Sequence, residues 1–360
     1  MEYYIFVTNS CNLNCSYCSV MLKMEENNIP LEPIYSLNDL NHFIDITQKK
    51  YKDTVADIIF FGGEPTLNYK FIQDIITSHG KLYNLSYKFH YMLHTNGLLL
   101  CQIPDDILQV LDSIMVSINY DKIPHKQLND GYFKVIIDAI HYIRQRKKLS
   151  IIARLTITEE TSLYSEIALL NSFFDAIYWQ IENKYSFKDY SSFYNTYKYE
   201  LNLTFYMWLN YLKRGILINL IPFISSTYFF TNEHNIDSFC CGYNNSMIYI
   251  QTNGQCYTCA EDMLTTKNLI GTIDKEIQFH DFNIKNTICY SCPYLNMCLG
   301  RCGRMHKEFT KEHIQEYCNL NKILFDLVKE NCQSIQYYCK QYNLSLGLDN
   351  PIYHYTEYTP

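Results

Sequence analysis

The chain has 360 residues, 48% of them hydrophobic, which is enough for one large α/β domain with a smaller appendage and too apolar for a disordered chain. Its net charge of -7 contains no block of like charges, which argues against nucleic acid or an anionic membrane as the main partner. No stretch approaches the roughly 20 apolar residues of a membrane span, and Met1 to Val7 lacks the basic flank and long apolar run of a signal peptide. The expected location is therefore the cytoplasm, where thiols stay reduced. The 15 cysteines, an odd number in a reducing compartment, then point to metal or cluster ligation rather than to disulfides.

In chain order, apolar strand-like runs fall at 3–8, 55–61, 87–94, 112–118, 150–158 and 176–181. Between them lie helical patterns at 36–50, 69–79, 104–111, 132–147 and 162–174. Strands alternating with helices predict parallel strands joined by right-handed crossovers, in a closed or partly closed barrel. Residues 183–215 read as a Tyr-rich, mostly helical connector. The abundance of tyrosine, 34 in all, is ascribed to biased composition. After 239 the chain changes to short strands, turns and closely spaced cysteines. The expected division is a barrel at 1–215, a connector at 216–239, a cysteine-rich domain at 240–320 and a helical tail at 321–360.

The first chemical site is Cys11-Asn12-Leu13-Asn14-Cys15-Ser16-Tyr17-Cys18, directly after the first strand, where barrels place their chemistry. Three thiolates at this spacing suit three irons of a four-iron cluster, leaving the fourth iron open. A zinc knuckle is the alternative, although structural zinc normally closes with four protein ligands. The pattern, with the aromatic Tyr17 before its third cysteine, resembles the radical S-adenosylmethionine (radical SAM) signature. In that family the amino and carboxylate groups of SAM chelate the open iron, and reductive cleavage gives a 5′-deoxyadenosyl radical. Gly62-Gly63-Glu64-Pro65, closing the second strand, matches the family motif that holds the SAM amino group. A glycine pair also allows a sharp turn and close backbone approach. Ser117 fits the family's fourth-strand contact, whereas Asn119 and Tyr120 depart from its Ser-x-Asp-Gly pattern. Arg154, in an apolar strand, needs an anionic partner if buried; the SAM carboxylate and a structural ion pair both qualify. Thr95-Asn96-Gly97 reads as a plain strand-exit turn.

The second cysteine set is Cys241, then Cys259 five residues after Gly254, then Cys289-x2-Cys292-x5-Cys298-x3-Cys302, and finally Cys318. Residues 248–257 read as a hairpin with an Asn-Gly turn. In this order the seven cysteines resemble the SPASM domain of radical SAM peptide and protein maturases. The resemblance implies two auxiliary four-iron clusters: an outer one on Cys289, Cys292, Cys298 and Cys318, and an inner one on Cys241, Cys259 and Cys302. The fourth inner ligand is left open between Cys240, Cys256 and none. A pair of zinc sites is the alternative for the whole set. Cys332 and Cys339, seven apart on a helix-like tail, and Cys101 are expected to be core thiols.

The expected fold class is thus α/β, a partial (β/α)6 TIM-like barrel followed by a SPASM iron–sulfur domain. The cofactors implied are SAM and three [4Fe-4S] clusters, one binding SAM and two auxiliary. By resemblance, the leading function is modification of a ribosomally made precursor peptide, through a thioether or carbon–carbon cross-link or by epimerisation. Formylglycine formation in sulfatases is a second possibility. Relatives doing this carry an acidic residue directly after the Cys259 position, which is Ala260 here, with Glu261 and Asp262 displaced. A small-molecule dehydrogenase is disfavoured by the full SPASM spacing. A non-catalytic electron-transfer module is disfavoured because it needs no open iron. The expected partners are the precursor peptide, a flavodoxin- or ferredoxin-type electron donor and a separate leader-binding protein, since the chain begins almost at its first strand. The SPASM domain or the Tyr-rich 183–230 stretch could serve for leader recognition instead.

Overall fold

Tyr3-Tyr4-Ile5-Phe6-Val7 offers apolar side chains to both faces of a strand, the pattern of a central parallel strand rather than of an edge. In the computed structural model, which describes residues 1–15, 18, 28–82, 85–118, 126–232, 241–263, 266–280, 282–348 and 358–360, this strand, β1 (Glu2–Thr8), is buried at every position but the first. The chain continues through α1 (Leu37–Tyr51), β2 (Val55–Gly62), a 3-10 turn (Pro65–Asn68), α2 (Tyr69–His79), β3 (Lys88–Thr95), α3 (Asp105–Val110), β4 (Ser113–Ser117) and α4 (Lys126–Arg144). It then forms β5 (Ser150–Ile157), α5 (Leu163–Leu170), β6 (Ala176–Ile181), α6 (Tyr190–Leu212) and α7 (Ile221–Thr231). The remainder is β7 (Met247–Ile250), β8 (Gln255–Tyr257), β9 (Leu269–Thr272), α8 (Leu295–Cys298), α9 (Gly303–Glu308) and α10 (Lys311–Tyr342).

The six expected strands and five expected helices are all present. Helix α1 starts where its sequence says it should, because Ser36 and Asp39 close a reciprocal capping box and Lys49 and Lys50 sit in the last turn. Three elements differ from expectation. Helix α4 begins at 126 rather than 132, since the helix runs through Asn129-Asp130-Gly131, a sequence that locally reads as a turn. Helix α7 lies in the stretch expected to be a connector. It is buried at every position from Ile221 to Thr227, so it has no polar face to make its period visible, and Pro222 sits in its first turn. Helix α10 runs straight through the expected 320/321 boundary and carries Cys318 as well as Cys332 and Cys339. Cys332 is buried, as expected of a core thiol, and Cys339 is half-buried, but Cys101 is exposed and is no core residue.

The chain forms two compact units that interleave along the sequence: 1–117 with 125–151 and 242–281, and 118–124 with 152–241 and 282–360. In the first, the strand order is β4-β3-β2-β1-β7-β8-β9. Strands β1 to β4 are parallel neighbours, and β7 adds in parallel to the far edge of β1, pairing Glu2 with Met247 and Ile5 with Ile250. The expected hairpin is therefore an extension of this sheet and not part of a separate C-terminal domain. Its pairing covers backbone groups of β1 that would otherwise be left without partners. One sheet face carries Tyr3, which meets Phe43 of α1. The other carries Tyr4, Phe6, Phe61 and Tyr249, with Tyr4 stacked on Tyr249 at 4.3 Å.

In the second unit β5 pairs in parallel with β6, Arg154 opposite Tyr178 and Thr156 opposite Gln180. Trp179, Phe205 and Trp208 surround Phe223 of α7 with ring centroids 5.2–5.4 Å away. Tryptophan is present only at 179 and 208, both in this cluster. Replacing Phe223 with Ala should destabilise this unit by about 3–5 kcal/mol. The check is a lowered urea midpoint followed by tryptophan fluorescence, and an unchanged midpoint would show that α7 is peripheral to the core.

Candidate active site

Strand β1 ends at Thr8, and the first cysteine loop leaves the sheet against the end of β2. Gly63 N–H donates to Thr8 O at 2.9 Å and Glu64 N–H to Ser10 O at 2.8 Å. A Cβ on Gly62, whose φ is +139°, would lie 2.1 Å from Thr8 O, and one on Gly63 would lie 2.3 Å from Ser10 O. Both glycines are thus required by the neighbouring backbone as well as by any ligand. The Glu64 side chain is 1% exposed. Its carboxylate accepts from Thr66 N, Thr66 Oγ1 and Thr95 Oγ1 on one oxygen and from Asn96 N on the other, at 2.6–3.0 Å. With three donors on one oxygen and one on the other, Glu64 acts here as a clamp joining the ends of β2 and β3. Asn96 Nδ2 in turn donates to Asn12 Oδ1 at 2.7 Å, inside the cysteine loop.

Thr95, Asn96 and Asn12 are the residues that sequence reasoning missed. The turn reading of Thr95-Asn96-Gly97 is incomplete, because its hydroxyl and amide lock the loop. The signal was two hydrogen-bonding side chains placed together at a strand exit. The return of the loop is held as firmly, since Asn9 Nδ2 donates to Pro30 O and to Thr252 Oγ1, both at 2.8 Å.

Within this frame Cys11, Cys15 and Cys18 are each partly accessible. Burial pushes the Cys11 thiol up, and Glu64, Cys15 and Cys18 add to the rise, so the three sulfurs and the clamp share one neighbourhood. Cys18 N–H donates to Cys15 O at 3.0 Å and Leu13 N–H to Cys11 Sγ at 3.4 Å. Ser117 Oγ, at the end of β4, is 3.0 Å from His94 Nε2, whose ring also meets Phe61. In the second unit Arg154 donates to Gln180 Oε1. Tyr17, Asn119 and Cys240 lie outside the described residues, as does the side chain of Asp262.

The outer set assembles in the second unit. Cys289 N–H donates to Thr287 Oγ1 at 3.2 Å, Cys292 N–H to Cys289 O at 2.9 Å and Cys298 N–H to Tyr294 O at 2.8 Å. Burial pushes Cys289 up to about 11, with Cys318 and Cys292 adding. It likewise raises Cys298, with contributions from Cys289, Cys318 and Cys292, and Cys318, with one from Cys292. The four thiols therefore lie within electrostatic reach of one another. His306 Nε2 stands 3.3 Å from Cys289 Sγ. Of the inner set, Cys259 belongs to the first unit, directly before the 3-10 turn Ala260–Asp262 that carries the half-buried Glu261, while Cys241 and Cys302 belong to the second. Cys256 does not fit the ligand role. It is fully buried, its neighbours are Tyr3 and Tyr35, and it alternates with Tyr257, which faces Phe6 and Met263. It lies on the helix-covered face as a core thiol. Among the described residues no three His, Cys, Asp or Glu side chains converge to the spacing of a single metal ion.

Residues 5–161 match the model of the Radical SAM superfamily, and this part of the chain is a radical SAM domain. The α/β fold with its parallel sheet is that of radical SAM enzymes. Among solved structures, anSMEcpe with bound AdoMet is similar over 94% of this chain and 99% of its own, with a TM-score of 0.70 at 16% identity. SuiB of Streptococcus suis, bound to the precursor peptide SuiA, is similar over 85% of this chain and 73% of its own, with a TM-score of 0.54 at 17% identity. In sequence, the chain is 31% identical to an uncharacterized protein of Methanocaldococcus jannaschii over 124 residues, and 27% identical to the radical SAM cyclopropyl synthase TigE of Paramaledivibacter caminithermalis over 139 residues. Those stretches are 34% and 35% of this chain, and 38% and 29% of the two relatives. No helix among the described residues is long and apolar enough to cross a membrane.

Replacing Gly63 with Ala would force the end of β2 away from Ser10 and draw Glu64 off its donors. SAM affinity should fall at least about tenfold, measured by equilibrium dialysis on iron-loaded protein. Unaltered affinity would show that the two strand ends need not be in contact.

Proposed function

We propose that the chain is a radical SAM maturase acting on a peptide or protein, with a ribosomally made precursor peptide as its substrate. The observation that carries this reading is the placement of Cys11, Cys15 and Cys18 in one loop held by the Gly62-Gly63-Glu64 turn. The donor set fits a four-iron cluster with one open iron, because three thiols of one loop share the neighbourhood. Bound there, the cluster and SAM would supply a primary carbon radical able to take hydrogen from an unactivated C–H bond. The chain's part is positioning. The Glu64 clamp holds the loop, and Ser117, oriented by His94, and Arg154, oriented by Gln180, are offered as contacts to SAM.

Support for a peptide substrate comes from the fold neighbours, since anSMEcpe has been seen with a Cp18Cys peptide and SuiB with SuiA. Cys289, Cys292, Cys298 and Cys318 would hold the outer auxiliary cluster. Cys241, Cys259 and Cys302 would hold the inner one, a sink for the electron that an oxidised product must lose. A cross-link is then the leading outcome. Formylglycine formation is the second reading, favoured by the likeness in fold to anSMEcpe, which is of the sulfatase-maturase type. Glu261 and Asp262, one and two positions beyond the residue that follows Cys259, are the candidate proton acceptors there.

Anaerobic reconstitution should load about twelve irons per chain and no stoichiometric zinc. Two zinc ions with only four irons would remove the auxiliary clusters and spare the SAM site. The triple variant Cys11→Ala, Cys15→Ala, Cys18→Ala should keep about eight irons and lose reductive formation of 5′-deoxyadenosine. If the triple variant cleaved SAM as before, the chemistry would belong to another cluster.

A further inference from the structure

Between Cys298 and Cys302 the backbone turns through Leu299, Gly300 and Arg301 at φ of 52°, 75° and 51°, a left-handed run that two non-glycine residues adopt only under constraint. The constraint on Arg301 is visible. Its N–H donates to Cys298 O at 3.0 Å, and its guanidinium lies over the Tyr317 ring, 4.7 Å from the centroid, beside Cys318. Nε donates to Pro360 O at 2.5 Å, Nη2 to Ile181 O at 3.1 Å and Nη1 to Asn183 Oδ1 at 2.9 Å. A guanidinium offers donors and no acceptor, so it must meet the oxygen of the Asn183 amide and not its nitrogen. The amide is thereby turned with Nδ2 toward Cys302 Sγ, 3.9 Å away, at the long end for a sulfur acceptor. All of these residues lie in the second unit.

We propose that Arg301 and Asn183 form the polar shell of the auxiliary cysteine site, in which Arg301 orients Asn183 so that its amide N–H donates to the Cys302 sulfur and stabilises the reduced state of the metal group held there. The inference rests on the auxiliary-cluster reading above. Its physical basis is general: hydrogen bonds to ligand sulfurs and nearby cations favour the more negative, reduced form of an iron–sulfur cluster and raise its potential. Arg301 N–H is bonded to Cys298 O and its guanidinium lies over Tyr317, the chain neighbour of Cys318, so its charge stands beside the outer set as well. Arg301 and Asn183 are positioning residues, and neither is placed against substrate.

The test is an EPR-monitored redox titration of reconstituted full-length protein, with iron counted on the same samples. Asn183→Leu removes the amide and should shift one auxiliary cluster to lower potential. Asn183→Asp sets a carboxylate against the sulfur and should shift it further in the same direction. Arg301→Lys, which keeps the charge but loses the planar fork, should reproduce the Asn183→Leu shift. Arg301→Gln should lower both auxiliary potentials. The cluster held by Cys11, Cys15 and Cys18 should keep its potential throughout. Full iron loading with unmoved auxiliary potentials in the two Asn183 variants would overturn this inference alone. Wild-type protein that loads only four irons would overturn it together with the reading beneath it.

Discussion

The site depends on the contact between two strand ends. Residues 8–10, leaving β1, and residues 62–64, leaving β2, approach so closely that a single added carbon on either glycine would fall within 2.1–2.3 Å of a carbonyl oxygen. Hydrogen bonds from Gly63 and Glu64 then fix the relative height of the two exits. With that height set, Glu64 turns back into the structure and gathers donors from its own turn and from the end of β3. A carboxylate in such a place is stable because four donors meet it; an unpaired one would be costly to bury.

The two cysteine sets of this chain are built on different principles. Cys11, Cys15 and Cys18 lie within eight residues of sequence, on one loop whose ends are pinned by Asn9 and Asn96. The outer set draws Cys289, Cys292 and Cys298 from consecutive turns and Cys318 from α10, so its assembly requires that helix to be docked. Docking runs through side chains: Tyr317 OH donates to Glu182 O at 2.6 Å, and His313 Nε2 lies 2.6 Å from Lys184 O, both just past the end of β6. A metal group held by these four thiols would therefore couple its ligation to helix docking in the second unit, as is usual where ligands come from separated segments.

The element pattern was legible because most elements have one exposed face or none of their neighbours' ambiguity. Helices α1 and α2 have caps and an amphipathic period, and β1 to β6 are continuous apolar runs between them. Helix α7 was not legible, since burial of every residue from Ile221 to Thr227 erases the periodic signal there. The turn-like sequence at 129–131 hid the start of α4, because its local preference is overridden once the rest of the helix forms.

Sequence by itself determined the residue types and spacings of the chemistry: three cysteines in one loop, a glycine pair before an acid, and seven further cysteines in a fixed order. These are local, covalent facts. Only the tertiary structure decided the roles of side chains that act across the fold. It turned Glu64 into a clamp, recruited Thr95, Asn96 and Asn12 to it, set His94 against Ser117, and placed Cys256 among core tyrosines. It also joined the 247–272 strands to the first sheet instead of the cysteine-rich region that follows. Each of these outcomes depends on which backbone lies within about 3 Å of a given side chain, and strands distant in sequence become neighbours only when the sheet has formed.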